Sequence, residues 1–160
     1  MIIIGIDPGI RRTGYGIIKS SKNNPELVDY GIVSSDSDEP VAKRIYSIFS
    51  DIKMLIDEFQ PSVLSIEDIF FGKNVKSMLL LGQARGAALI AAASKNLIIY
   101  EYSPKKIKQS LTGNGNSEKH QVQFMVQNIL KLSSPPSPHD ASDALAAALC
   151  HFQQLKVSAL

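Results

Sequence analysis

The sequence predicts an α/β fold in which a mixed five-stranded sheet carries helices on both faces. Three short apolar runs, separated by turn residues, fill the first 34 positions and favour an antiparallel meander of strands. Beyond them, helical patterns alternate with two short apolar runs, which is typical of crossovers between parallel strands. A chain of 160 residues, 44% of them hydrophobic, is long enough for one ordinary core. We therefore expect a single domain over residues 1–160.

The meander begins with a strand over Ile2–Asp7, which ends at the turn pair Pro8-Gly9. Two further strands are predicted over residues 13–19 and 27–34. Asn23-Asn24-Pro25 lies between them and supplies the turn.

The first helix is predicted over Val41–Phe59, because its apolar residues fall on one stripe at helical spacing and Pro61 follows it. A third helix opens at Ser103-Pro104, with serine as the N-cap and proline in the first turn. The remaining predictions are strands over residues 63–67 and 97–102, helices over 75–94, 117–131 and 140–155, a flexible loop over 112–116 and a proline-rich loop over 133–138.

Composition excludes several classes of protein. Cys150 is the only cysteine, so it has no partner for an internal disulfide and no Cys/His metal spacing exists. Its apolar surroundings predict a buried thiol, and we expect a reducing, cytoplasmic location. No secretory leader is recognisable, and the longest apolar run, over residues 78–93, contains Gln83 and Arg85, so we expect no membrane association. The net charge of +2 is too small to indicate nucleic-acid binding by itself.

Acidic side chains occur at positions where strands end and where the last helix starts. Asp7 ends the first strand and Glu67 the fourth, and these strands would meet at one sheet edge if they are parallel neighbours. Asp140 and Asp143 are three residues apart and share one helix face. Taken singly, the two helix aspartates are more typical of caps and Asp7 of a turn, but a carboxylate after a buried strand needs a partner.

A divalent cation would satisfy all four acids together. Oxygen ligands without cysteine or histidine indicate Mg²⁺ or Mn²⁺, and two such ions can promote phosphodiester hydrolysis. Asp68 competes with Glu67 for the role of metal ligand. Strand alternation places the two side chains on opposite faces, so only one of them can serve easily, and periodicity does not decide which.

Basic residues cluster in loops and helix starts near these acids, where they could hold DNA phosphates. They are Arg11, Arg12, Lys73, Lys76, Lys105, Lys106, Lys108, Lys119 and His120. For Lys105 and Lys106 singly, a solvated surface is the better interpretation. Phe70-Phe71 would either pack in the core or stack on an unpaired base. Gly82 and Gly86 indicate close approach of a backbone, from this sheet or from a second subunit.

Several motifs resemble those of one family in order along nearly the whole chain. Ile4-Gly5-Ile6-Asp7-Pro8-Gly9 with Thr13-Gly14-Tyr15-Gly16, and Ile66-Glu67 with Phe70 and Lys73-Asn74, resemble the first two motifs of RuvC Holliday-junction resolvases. The later matches are Leu81-Gly82-Gln83-Ala84-Arg85-Gly86, Glu101-Tyr102, Ile107-Lys108-Gln109, Gly113, Gly115, Glu118-Lys119 and Asp140-Ala141-Ser142-Asp143-Ala144-Leu145-Ala146.

The resemblance implies a ribonuclease-H-like nuclease that acts in DNA recombination and repair. It would be a homodimer that binds four-way junction DNA, works with the RuvA and RuvB branch-migration proteins, and nicks two strands of like polarity. Its products would carry 5′-phosphate and 3′-hydroxyl ends, and each active site would use two Mg²⁺ ions, with Mn²⁺ as a substitute. The metal-binding catalytic residues it implies are Asp7, Glu67, Asp140 and Asp143, and the DNA-binding residues are Phe70, Lys73, Asn74, Lys108 and Lys119.

Two departures from the family pattern stand out. The loop over residues 133–138 is rich in proline, which bears on how rigidly Asp140 is held. Phe71-Gly72 is a local variant that bears on the shape of the loop thought to stack on a base.

Three other interpretations compete with the resolvase. An ATP-binding protein of the actin and sugar-kinase type also begins with a Gly-Ile-Asp-x-Gly hairpin, but it needs two such domains and a second glycine-rich loop. A DNA-binding module without catalysis would gain nothing from four acids that repel phosphate. A related nuclease that processes RNA remains open, although the Phe70 loop and the Lys119 block favour a junction substrate.

Overall fold

The computed structural model describes residues 1–21, 24–69 and 72–158. Its strands are β1 (Ile2–Asp7), β2 (Arg12–Ser20), β3 (Pro25–Ser34), β4 (Val63–Glu67) and β5 (Ile98–Tyr102). Its helices are α1 (Val41–Phe59), α2 (Val75–Ser94), α3 (Pro104–Thr112), α4 (Lys119–Ile129) and α5 (His139–Ser158).

The five strands form one mixed sheet in the order β3-β2-β1-β4-β5. The first three strands pair antiparallel, which confirms the predicted meander, and β1, β4 and β5 run parallel. Ile6 pairs with Ile66 across the central pair, so Asp7 and Glu67 follow at the same end of adjacent strands. The predicted sheet edge is therefore present.

Helices cover both faces of this sheet, as predicted, and each face has its own core. Alternate residues of the central strands, such as Ile4, Ile6 and Ile66, pack against the helices α1 and α2. Their neighbours in sequence, such as Ile3 and Val63, face the helices α3, α4 and α5.

Helix α5 lies unusually close to the sheet, because glycines and a serine face it. A Cβ atom at Gly5 or Gly14 would overlap the main-chain oxygen of Ala144 or Asp140. Ser65 is fully buried on β4, and its hydroxyl donates to the main-chain oxygen of Ala147 at 2.6 Å. These contacts fix the height of α5 above the strands.

Several helices and strands begin or end a few residues away from their predicted limits. Strand pairing and helix capping set these limits, and hydrophobic periodicity does not reveal either. Strand β2 starts at Arg12, because Arg12 pairs with Ser34. Helix α4 starts at Lys119, two residues later than predicted, because Glu118 forms a capping box with Gln121. Helix α5 extends three residues beyond the prediction, to Ser158, and β5 starts one residue later, at Ile98.

Helix α2 is long and apolar enough to cross a membrane by length and composition alone. Of its apolar 18-residue stretch, 28% is buried. Its alanine face, including Ala84, Ala88 and Ala91, packs into the core. The opposite face, which carries Val75, Leu79 and Ile90, is exposed. The helix thus buries one face in the core and leaves a second, apolar face exposed.

Candidate active site

Strand alternation directs Asp7 and Glu67 toward the same face of the sheet. Both end their strands at odd-numbered positions, like Gly5 and Ser65, which contact α5. Both carboxylates are partly buried. The two acids therefore point to the side of the sheet on which α5 begins.

Helix α5 brings Asp140 and Asp143 to this end of the sheet. The main-chain oxygen of Pro138 accepts hydrogen bonds from the amides of Ala141 and Ser142, at 3.1 and 3.2 Å. Further back in the proline-rich loop, the Gln123 side chain donates to the main-chain oxygen of Pro136 at 2.8 Å. This loop is thus bonded both to the first turn of α5 and to α4.

All four acids line one cavity of about 260 Å³. The predicted DNA-binding residues Lys108 and Lys119 line it as well. The complete lining is Asp7, Glu67, Pro104, Ile107, Lys108, Lys119, Val122, Asp140, Asp143 and Ala146. The structure thus joins acids that are distant in sequence with two positive side chains.

Asp7 is the most perturbed of the acids. Burial, followed by the negative charges of Asp143, Glu67 and Asp140, raises its pKa to about 8, and Lys119 opposes this only weakly. A carboxyl group in such surroundings holds a proton near neutral pH unless another cation takes its place. Asp7 therefore lies where a positive charge would be bound most strongly.

Glu67 is perturbed in the same direction. Burial, and then the charge of Asp143, raises the pKa of Glu67, while Lys119 and Lys108 counteract the rise. The site thus contains more negative charge than its lysines neutralise.

Lys119 is the lysine most closely tied to the acids. Its Nζ atom lies 3.4 Å from Oδ2 of Asp143, and this contact, together with the charges of Asp7 and Glu67, raises the pKa of Lys119. Most of the side chain is exposed. Lys119 can therefore swing from Asp143 toward a bound phosphate at little steric cost.

The donor set fits a hard divalent cation, because every acidic group that lines the cavity offers carboxylate oxygens and neither cysteine nor histidine lines it. Across residues 1–21, 24–69 and 72–158, no three acidic, histidine or cysteine side chains already stand close enough together to hold an ion.

The structure separates Glu67 from Asp68, which periodicity alone had left open. Asp68 points to the opposite face of the sheet, where Oδ1 lies 3.6 Å from a guanidinium nitrogen of Arg85 and accepts the amide of Ile69 at 2.8 Å. Of these two adjacent acids, only Glu67 lines the cavity.

The other predicted DNA-binding residues lie apart from the cavity or outside the described residues. Lys73 is exposed ahead of α2, and Asn74 caps that helix by accepting the amide of Ser77 at 3.1 Å. Phe70 and Phe71 fall in the part of the chain that the structure does not describe.

The contacts of Arg85 were not predicted from the sequence, where it was noted as a charge in an apolar run and as part of a family motif. Its side chain bonds to the main-chain oxygen of Glu67 and pairs with Glu101 and Asp68. An arginine that interrupts an apolar helix must find buried or half-buried partners, and this was the available signal.

Comparisons with known proteins identify the family of this chain. The family model described as "Crossover junction endodeoxyribonuclease RuvC" matches residues 3–151. A protein of that name from Natranaerobius thermophilus is 45% identical over 98% of this chain and 98% of its own length. Another, from Hydrogenovibrio crunogenus, is 48% identical over 96% of this chain and 88% of its own length.

Solved structures give the same result. The Thermus thermophilus RuvC structure covers 99% of this chain and 97% of its own, with a TM-score of 0.90 and 32% identity. The T. thermophilus protein in complex with a Holliday junction substrate has the same TM-score at 30% identity, covering 98% of this chain and 96% of its own. The fold is therefore ribonuclease-H-like, and the chain belongs to the RuvC family of crossover junction endodeoxyribonucleases.

Proposed function

We propose that this protein resolves four-way DNA junctions by nicking two strands of like polarity, leaving 5′-phosphate and 3′-hydroxyl ends. The observation that carries the proposal is the cavity in which Asp7, Glu67, Asp140 and Asp143 meet two lysines. The RuvC relative solved with a Holliday junction substrate supports a junction as the DNA.

The four carboxylates would hold two Mg²⁺ ions, with Mn²⁺ as a substitute. When bound, such ions supply the charge that activates a water and stabilises the departing oxygen. The acids of the chain give a divalent cation an anionic, partly buried site. Burial, and then the negative charge of the neighbouring acids, raises the pKa of Asp7 and of Glu67 there. Binding of the ions would displace the proton that Asp7, with a pKa of about 8, otherwise holds near neutral pH.

Lys119 and Lys108 would neutralise the phosphate that is cut. Both line the cavity with the acids, so a phosphodiester held over the carboxylates lies within reach of them. Lys73 and Asn74, which precede α2, would contact DNA further out, and Phe70 would stack on a base at the junction centre.

A homodimer is part of the proposal, and α2 supplies its most suitable surface. Val75, Leu79, Gly82, Gly86 and Ile90 fall on one face of this helix by their spacing. Nothing lies within 4 Å of a Cβ placed at either glycine, so the close approach that they indicate is not made within the described residues. A second copy would also cover the apolar groove of about 410 Å³ between α1 and α2.

We further propose that residues 1–160 act as one nuclease domain in the cytoplasm. Both cores share a single sheet, and Cys150 is buried with a free thiol, which suits a reducing compartment. Cooperation with RuvA and RuvB is also proposed, and it rests on family membership alone.

Cleavage of a synthetic four-way junction tests the function directly. We expect paired, symmetric nicks in Mg²⁺, none in EDTA, and none in a linear duplex of the same sequence. Asp7→Asn and Glu67→Gln should each slow cleavage about 10³-fold or more, which corresponds to about 4 kcal/mol of transition-state stabilisation. Junction binding, measured by gel shift in Ca²⁺, should change little.

Asp68→Asn is the matched control, because it neutralises the adjacent acid on the opposite face of the sheet. Its cleavage rate should fall far less than that of Glu67→Gln, since Asp68 does not line the cavity and reaches Arg85 only at 3.6 Å. Tight junction binding without cleavage in Mg²⁺ or Mn²⁺ would contradict the enzymatic role. Neither binding nor cleavage of DNA would direct attention to RNA substrates.

A further inference from the structure

Arg85 on α2 makes contacts that converge on the end of strand β4. Its Nε atom donates to the main-chain oxygen of Glu67 at 3.3 Å. One terminal nitrogen of the same guanidinium pairs closely with Oε2 of Glu101 and lies 3.6 Å from Oδ1 of Asp68. With only 13% of its side chain exposed, Arg85 is the least exposed partner among the ion pairs of the described residues.

These contacts tie the peptide that follows Glu67 to two other elements. The amide of Asp68 donates to the main-chain oxygen of Tyr102 on β5 at 2.9 Å, and Glu101 belongs to the same strand. The peptide unit between Glu67 and Asp68 is therefore held on its oxygen by α2 and on its nitrogen by β5. The backbone that sets the direction of the Glu67 side chain is restricted as a result.

A guanidinium suits this task because its donors point in fixed, different directions. The Nε–H group serves the Glu67 oxygen while the terminal nitrogen serves Glu101. Lysine places a methylene where arginine has Nε, so it can keep the ion pair with Glu101 but loses the bond to the peptide oxygen.

We propose that Arg85, held in place by Glu101, is a positioning residue that aims the Glu67 carboxylate at the metal-binding cavity. The proposal rests on the proposed function, in which Glu67 is a metal ligand. The free energy of metal binding depends on how well each carboxylate is already oriented toward the ion, and the backbone at Glu67 sets the direction of its side chain. Arg85 itself lies on the face of the sheet opposite the cavity and would act only through the backbone of Glu67.

Arg85→Lys is the decisive variant, with Arg85→Gln as its neutral companion. We expect the single-turnover cleavage rate at saturating junction to fall about 10- to 100-fold, because displacing a reacting group by about 1 Å has effects of this size. The dissociation constant for the junction in Ca²⁺ should stay unchanged within a factor of about three, since Arg85 is mostly buried and pairs with acids of its own chain on the face of the sheet opposite the cavity. Mn²⁺ titrated into the protein without DNA, and followed by the EPR signal of free Mn²⁺, should bind severalfold more weakly.

Lys95→Gln is the matched control. Lys95 caps the same helix and pairs with Asp57 of α1, about 15 Å along the helix from Arg85. It should lose comparable stability and keep the wild-type Mn²⁺ affinity and cleavage rate. Glu101→Gln should reproduce the Arg85→Lys defect in a milder form.

Wild-type Mn²⁺ affinity and cleavage rate in Arg85→Lys, with Glu67→Gln inactive, would overturn the positioning role alone. Equal losses in Lys95→Gln would also overturn it, because general destabilisation would then explain the effect. Full activity of Glu67→Gln would instead overturn the proposed function, and with it this role.

Discussion

The residues of the cavity are arranged for binding positive charge rather than for stability. Asp7 and Glu67 are partly buried among like charges, and both have a raised pKa. Lys119 neutralises part of this negative charge through its ion pair with Asp143. Without a metal, the folded protein therefore bears a free-energy penalty that the unfolded chain does not.

Asp7→Asn should remove this penalty and stabilise the metal-free protein at neutral and alkaline pH. The folded pKa of Asp7, about 8, lies above its value in the unfolded chain, 3.8. The free-energy penalty of Asp7 is therefore absent below about pH 4, where the carboxyl is protonated in both states, and it grows as the pH rises to about 8. We expect Asp7→Asn to be more stable than the wild type by about 1–3 kcal/mol at pH 8, with no difference near pH 4.

Urea denaturation in EDTA at several pH values measures this difference. Asp68→Asn serves as the control, because Asp68 lies on the other face of the sheet. A wild-type protein that is as stable as Asp7→Asn at pH 8 would contradict the raised pKa of Asp7. Added Mg²⁺ should reverse the order, since only the wild type keeps the full set of ligands.

At the residue scale, sequence alone predicted the four carboxylates but could not choose between Glu67 and Asp68 by periodicity. The resemblance to the family favoured Glu67, and the structure supplies the reason. The pairing of Ile6 with Ile66 puts Glu67 and Asp7 on one face. This register depends on contacts between strands that are 60 residues apart, and no local pattern encodes it.

At the scale of elements, the site depends on how closely α5 approaches the strands. The lack of a side chain at Gly5 and Gly14 allows the main chain of α5 to lie directly on β1 and β2. Ser65 adds a buried hydrogen bond to the same helix. The distance from Asp140 and Asp143 to Asp7 is therefore set by packing rather than by any bond among the acids.

Gly14→Ala should displace the start of α5, because its methyl group would overlap the main-chain oxygen of Asp140. We expect a loss of about 3 kcal/mol in unfolding free energy, which is typical of overpacking against a rigid backbone. In protein that remains folded, junction cleavage should fall about 100-fold. Thermal denaturation and single-turnover cleavage give the two values.

Gly82→Ala is the corresponding control, since nothing lies within 4 Å of a Cβ at that position. Its monomer should be as stable as the wild type or more so, because alanine favours a helix. Wild-type stability and activity in Gly14→Ala would show that α5 tolerates a larger separation from the sheet.

Helices and strands were predicted about equally well, and strands β1 and β4 have the predicted bounds. Helix α1 has the predicted bounds, because an apolar stripe and Pro61 mark it clearly, and Ser103 caps α3 as expected. The contact of α5 with Gly5 and Gly14 was not predicted, because in sequence these glycines resemble ordinary strand or turn residues. Their role in packing can be recognised only once the position of α5 over the sheet is known.

At the scale of the whole molecule, the uncovered apolar face of α2 is the largest departure from an ordinary monomer. Val75, Leu79 and Ile90 are exposed on it, and Tyr46 and Phe49 of α1 border the neighbouring groove. An exposed apolar face of this kind is typical of a subunit interface. A symmetric pair would present two cavities to a junction that itself has two-fold symmetry.

Leu79→Glu should disrupt the proposed dimer, because it places a charge on the apolar face. We expect the dimer dissociation constant to rise about 100-fold, as for other residues central to an interface. Sedimentation equilibrium measures the change, and paired nicking should become single, uncoupled nicking.

Phe124→Glu is a suitable control, because Phe124 is 61% exposed on α4 while Leu79 is 64% exposed on α2. It should leave the dimer intact. A wild-type protein that sediments as a monomer at all concentrations would contradict the dimer, and an unchanged Leu79→Glu dimer would place the interface elsewhere.

The depth at which α5 is buried has a consequence for how long the site keeps its shape. From Ala144 to Phe152 this helix has no exposed residue, and Asp140 and Asp143 stand on the turns that precede this stretch. We therefore expect the amides of this stretch to be among the slowest in the protein to exchange with solvent, and two of the four cavity acids stand directly beside it. A variant that weakens the core should then shorten the time for which Asp140 and Asp143 keep their places over the sheet.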